Sequence, residues 1–195
     1  MHRKSLVRQT LLLLFIIMST NIAAQNPVPK APDLDGKAWI LIDATTGFVI
    51  AENNADEPLP PASLAKMMTT YIAVKQIKQG TLRDYDEVLI SDNAWEKGGA
   101  KTDGSTMFLS PRTTVPLIDL MRGIIIQSGN DAAIALAEHI SGSEDAFSNL
   151  MNDNAADLGM NNTFYYNSTG LPIEGMLSSA RDQARLVRAT IELDP

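Results

Sequence analysis

Two short polar clusters stand inside otherwise apolar stretches of this 195-residue chain, and both carry side chains that could react. The first lies in PPASLAKMMTTYIAV, Pro60 to Val74, where Lys66 is the only charged residue between Glu57 and Lys75. Ser63 stands three positions before it, so on a helix the two side chains share a face. Leu64, Ala65, Met67, Met68, Tyr71, Ile72, Ala73 and Val74 cover the other faces, which predicts a buried helix. Burial strips an ammonium of its hydration and lowers its pKa, and the positive end of the helix dipole acts in the same direction. A neutral lysine can accept the serine proton and activate the hydroxyl for attack on a carbonyl. The Ser63 N–H, at the head of the helix, is a candidate donor to the resulting oxyanion. A structural account competes: Ser63 caps the helix and Lys66 snorkels to water.

The second cluster is Ser128-Gly129-Asn130, set between the apolar runs GIIIQ and DAAIALA. A hydroxyl and an amide at such a junction can relay a proton and hold a substrate amide. Alternatively, Gly129 ends one helix and Asn130 or Asp131 caps the next. Other chemistries are constrained by composition. The chain has no cysteine, which removes disulfides, thiolate metal sites and a thiol nucleophile. Its two histidines are His2 and His139, too few for a histidine-rich metal site, and His139 reads as a helix-surface residue. A hydrolase built on this sequence is therefore expected to use a base other than histidine, with no metal or organic cofactor.

Several elements must position these groups. AWILID and GFVIAE, around ATTG, read as a β-hairpin. Pro60 and Pro61 place the start of the reactive helix near Ala62 or Ser63, and Gly80 ends it after about Gln79. YDEVLIS reads as a short strand, and DNAWEKGGAKTDGSTMFLSP as a long polar loop. VPLIDLMRGIII, DAAIALAEHIS, SEDAFSNLMNDNAADLGM and SSARDQARLVRATIEL read as four further helices. Pro116 begins the first of these, and Ser143 caps the third. A hairpin alone is marginal in water, so it calls for more sheet than the sequence visibly supplies.

The basic start MHRKSLVRQ, the apolar TLLLLFIIM and the small residues of NIAA before Gln25 read as an export signal over residues 1–24. Residues 25–37 form a Pro-rich lead-in, and residues 38–195 the folded part. The net charge is −7. Removal of Arg3, Lys4 and Arg8 with the signal leaves 13 basic against 23 acidic residues, a net of −10. Such a chain has no basic footprint for nucleic acid. No membrane span is expected once the signal is cleaved, and the location expected is the periplasm or cell envelope.

Taken together, the two clusters resemble the signature of the serine-type D-alanyl-D-alanine carboxypeptidases, the low-molecular-mass penicillin-binding proteins. The family's S-x-x-K motif stands here as Ser63-Leu64-Ala65-Lys66 within PASLAKMMT, and its S-x-N motif as Ser128-Gly129-Asn130 within QSGNDA. The flanks ILIDATTGFVIAENNAD, RGIIIQSGNDAAIALAEHISGSEDAF, GMNNTFYYNSTGLP and SSARD are similar too, so the resemblance runs from about Ala38 to the end. It implies an α/β fold with a helical subdomain, of the penicillin-binding protein and β-lactamase type, C-terminally incomplete. It also implies an acyl-enzyme on Ser63, with Lys66 as base, Ser128 as proton relay and Asn130 orienting the substrate. The implied partners are peptidoglycan stem peptides and β-lactams.

The chain departs from the family's pattern in two places. The family's third motif, K-T-G, is not found; its lysine would hold the substrate carboxylate. KTDG at Lys101–Gly104 precedes the second motif and is rejected as a substitute. A chain that stops at Pro195 is expected to lack that strand and any C-terminal membrane anchor. It is also expected to be weak or inactive, whereas one extended through K-T-G would work. Thr169 stands where relatives often carry histidine or asparagine, and no role is drawn from it. Two rival readings remain: a class A-like β-lactamase, with Glu174 as the available loop acid, and a non-catalytic remnant or wall-binding module.

Overall fold

The computed structural model describes residues 31–194, and those from Asp35 onward belong to one compact unit. The signal reading of residues 1–24, and residues 25–30 of the lead-in, lie outside the described residues. Strands β1 (Trp39–Ile42) and β2 (Val49–Asn53) pair antiparallel, with a register irregularity between Leu41 and Ile42. Their turn is closed by Asp43, whose carboxylate accepts from both the N–H and the hydroxyl of Thr46. A single 3-10 turn, Ala62–Leu64, leads into α1 (Ala65–Lys78), which ends just before Gly80 at φ 75°.

β3 (Glu87–Leu89) pairs antiparallel with β4 (Thr114–Pro116), and α3 (Leu117–Gln127) begins directly after it. Pro116 both ends the strand, paired with Glu87, and stands at the start of the helix as its N-cap residue, as the sequence indicates. The segment expected to be one long loop is partly helical. It contains α2 (Asp92–Trp95) and a π-helical turn, Glu96–Ala100. Ser91 caps α2, accepting from Ala94 N–H, and Glu138 holds Ser91 and Asn93 in place. Then follow α4 (Asn130–Ser141), α5 (Glu144–Asp157) and α6 (Ala180–Leu193). Ser143 caps α5 as the sequence indicates, its hydroxyl accepting from Ala146 N–H.

Two apolar cores meet at α1. One gathers Ala73 with Val88, Ile90, Leu117, Leu120 and the Ala132–Leu136 face of α4. The other packs Ala65, Met68 and Ile72 against Phe147, Met151, Tyr165 and Leu186. Residues Ala132 to Ala137 are all essentially inaccessible, so this part of α4 is wrapped on every side. Its alanines let neighbours approach closely. The hairpin is tied to α6 by Arg188, which donates to the Ala44 carbonyl, and by Arg181, which bridges Glu52 and Asp56. Between β1, the Pro60–Leu64 turn and α6 runs an apolar groove of ≈ 580 Å³. Among the described residues β1 pairs with β2 alone.

Candidate active site

Ser63 sits on the 3-10 turn and is exposed, whereas Lys66, one turn on, is only 5% exposed. No side-chain cap bond is made at the start of this helix, so Ser63 is not spent as a cap. Nor does Lys66 snorkel. Its Nζ lies 3.5 Å from Ser63 Oγ and donates a 2.7 Å hydrogen bond to the Thr169 carbonyl. Burial lowers the Lys66 pKa to about 8. A lysine so placed is partly neutral under mildly alkaline conditions and stands within reach of a solvent-facing hydroxyl.

The turn that presents Ser63 is strained. Ala62 has φ 47°, a left-handed conformation that costs a residue with a Cβ about 1–2 kcal/mol. Close packing holds it there: Gly170, at φ +83°, lies so near that a Cβ on it would sit 1.8 Å from the Ala62 carbonyl oxygen. Strain held in this way is common where a reacting group must be aimed.

The Thr169 carbonyl is itself fixed by a rigid loop. Asn167 Oδ1 accepts from Thr169 N–H, Thr169 Oγ1 and Gly170 N–H, and its amide donates to the Leu171 carbonyl. Thr69 of α1 donates to the Ser168 carbonyl, and Glu144 accepts from the Ser168 N–H and hydroxyl. Sequence reasoning missed this loop. The available signal was Asn167 followed three residues later by Gly170, a side-chain-closed turn. A backbone carbonyl, which every residue owns, gives no signal of its own.

Ser128 reaches the same place from α3. It ends that helix in a left-handed conformation, φ 59°, so Ser128 and not Gly129 makes the stop. Ser63, Lys66, Met67, Thr70, Ile124, Ile125 and Ser128 line one cleft of ≈ 220 Å³. Asn130 is not part of this lining. It is 3% exposed, and a Cβ built on Gly104 would come 2.5 Å from its amide nitrogen. Three of the four expected residues are therefore brought together, and the fourth stands behind them. Lys101, of the rejected KTDG run, pairs with Glu96 at the surface. His139 is exposed, and Glu174 lines a separate apolar pocket with Pro60, Leu171 and Met176. Among the described residues no cluster of three or more histidines or carboxylates could hold a metal ion.

This arrangement suits acyl transfer through a serine ester. Residues 24–195 match the D-alanyl-D-alanine carboxypeptidase family. The chain is 45% identical over 179 residues to the D-alanyl-D-alanine carboxypeptidase DacC of Escherichia coli, covering 91% of this chain and 44% of that one. Among solved structures, penicillin binding protein 5 of Haemophilus influenzae superposes with a TM-score of 0.81 at 39% identity, over 84% of this chain and 47% of that one. The carboxypeptidase DacD of Francisella tularensis gives 0.78 at 39% identity, over 89% and 41%. The chain thus has the penicillin-binding protein fold and spans less than half the length of these relatives.

Proposed function

The chain belongs to the D-alanyl-D-alanine carboxypeptidase family, and we propose that it acts as a serine carboxypeptidase on peptides ending in D-alanyl-D-alanine, through an acyl-enzyme on Ser63. The carrying observation is the cleft that joins exposed Ser63, buried Lys66 and Ser128, with Lys66 held by the Thr169 carbonyl. Neutral Lys66 takes the Ser63 proton as Oγ attacks the carbonyl carbon of the penultimate D-alanine. The Ser63 N–H stabilises the oxyanion. The proton passes by way of Ser128 to the departing D-alanine nitrogen as the C–N bond breaks. Water, giving a proton to Lys66, then attacks the ester carbonyl; as the bond to Ser63 Oγ breaks, that proton passes to Oγ, which restores the serine hydroxyl and neutral Lys66. The resemblance to the family gives Asn130 the role of orienting the substrate backbone, although Asn130 is buried and does not line the cleft.

β-Lactams acylate the same serine in this account; the Haemophilus relative is named as a penicillin-binding protein. A carboxypeptidase is favoured over a β-lactamase because Glu174, the available loop acid, does not line the cleft where the ester would be hydrolysed. Incubation with a stem pentapeptide and assay of released D-alanine tests the reading, with Ser63→Ala as control. Weak release that depends on Ser63, together with slow turnover of penicillin, is expected; fast penicillin hydrolysis without D-alanine release would overturn it.

Export to the periplasm or cell envelope is part of the same proposal. It is supported by the basic-then-apolar order of residues 1–24 and by a family match that begins at residue 24. Among the described residues no helix is long and apolar enough to cross a membrane. An intact mass corresponding to a start at Gln25, for protein recovered from the periplasm of a bacterial host, is the expected result.

A further inference from the structure

The segment from Lys101 to Leu109 contains the KTDG run that has no part in the reaction, and it crosses the corner where α3 gives way to α4. One buried side chain holds it there. Asp131, the second residue of α4, is 1% exposed. Its Oδ1 accepts from Met107 N–H at 2.8 Å and Ala132 N–H at 2.9 Å. Its Oδ2 accepts from Thr106 Oγ1 at 2.8 Å and Leu109 N–H at 3.0 Å. Four donors thus converge on one carboxylate, and hydrogen bonds to an ionised acceptor are the strong ones.

The strap in turn grips the second motif. The Ser105 carbonyl accepts from Asn130 N–H at 2.9 Å, and the Thr106 carbonyl accepts from the Gln127 amide at 2.7 Å. Gly104 packs on the Asn130 side-chain amide with no room for a methyl group. Met107 lies against Gly129, where a Cβ would come 3.3 Å from both the Cβ and the backbone nitrogen of Met107. Ser128 and Asn130 flank that glycine.

We propose that Asp131 is the positioning residue of the second motif: its carboxylate fixes the strap, and the strap sets the places of Asn130 and Ser128. The catalytic half of this inference rests on the carboxypeptidase reading, while the structural half does not. Asp131 acts through the strap and touches neither Ser63 nor Lys66 by hydrogen bond.

Asp131→Asn keeps the shape but turns one acceptor into a donor, so at least one backbone bond to the strap is lost, from Met107 N–H or from Leu109 N–H. Two measurements on the 195-residue chain test the consequence. Site-resolved amide exchange is expected to accelerate at Met107 or Leu109 and at Asn130 by about tenfold, the scale of one lost charge-assisted bond. Exchange at Gly170, held by Asn167 on the far side of the cleft, stays unchanged. Acylation by a fluorescent penicillin is expected to fall about 100-fold, as for a small misplacement of a binding group, with its pH midpoint unmoved. Thr106→Val removes the hydroxyl that donates to Asp131 and accepts from Phe108 N–H, and acts in the same direction more weakly, while Thr106→Ser restores both readouts. That pair carries the test if Asp131→Asn does not fold.

Loosened strap amides with Asn130 exchange unchanged would overturn the inference. So would acceleration that is equal at Gly170, or an acylation rate that stays at the wild-type value. If the wild-type chain takes no label at all, the carboxypeptidase reading falls, and amide exchange still decides whether Asp131 holds Asn130 through the strap.

Discussion

Replacing Gly170 by alanine tests how closely the serine turn and the Thr169 loop depend on each other. Two costs add. Alanine at φ +83° adopts a left-handed backbone, a cost of about 1–2 kcal/mol. Its Cβ would also meet the Ala62 carbonyl oxygen at 1.8 Å and the carbonyl carbon at 2.4 Å. A carbon and an oxygen rest at roughly 3.3 Å or more, so the loop and the turn must part by about 1.5 Å. These are backbone atoms and cannot swing aside, and overpacking of this kind costs about 1–3 kcal/mol. The expected destabilisation is therefore about 2–5 kcal/mol, against a total stability on the order of 5–15 kcal/mol. The displacement falls on the reacting pair, because Thr169 holds Lys66 and Ala62 precedes Ser63. Acylation should slow about 100-fold in the molecules that remain folded. Urea denaturation reads the first effect and the time course of fluorescent-penicillin labelling the second. A Gly170→Ala variant with stability within about 0.5 kcal/mol of wild type and an unchanged labelling rate would refute this coupling.

The pH profile of acylation should rise through a midpoint near 8 as buried Lys66 loses its proton; a rate flat from pH 6 to 10 would remove Lys66 as the base. Stability should follow the same group. Below about 8 both folded and unfolded chains hold the Lys66 proton; between about 8 and the ordinary lysine value of 10.5 only the unfolded chain holds it. Unfolding then takes up a proton, so this contribution to stability grows with pH across that window, which denaturation at its two ends would read. Asn167→Ala removes four hydrogen bonds from the Thr169 loop and should cost about 2–4 kcal/mol by thermal or urea denaturation, with slower acylation.

Much of this architecture was legible because local chemistry and tertiary position agree. The apolar run after Pro60 and Pro61 makes a buried helix, Ser143 with its two following acids makes a helix start, and both stand where the sequence puts them. The pairing of Thr114–Pro116 with β3 was not legible, since three residues of strand leave no periodicity to read. The left-handed Ser128 was hidden by its neighbour: Gly129 is the expected stop, yet Ser128 takes the left-handed conformation and Gly129, at φ −60°, packs closely on Met107. The partner of Lys66 was out of reach for a deeper reason. It is a backbone carbonyl 103 residues away, and its position is set by Asn167, Ser168 and Glu144. Burial of Asn130 behind the cleft likewise depends on the strap that Asp131 secures, a contact between segments more than twenty residues apart.

The central claim is that Ser63 and Lys66 form a working nucleophile and base in this chain. Labelling of the purified 195-residue protein with a fluorescent penicillin, followed by peptide mass mapping, addresses it most directly. The account predicts a covalent adduct on Ser63 that forms slowly, strengthens toward pH 9 and disappears in Ser63→Ala. A folded chain that takes no adduct, or one whose label persists after Ser63→Ala, would contradict it.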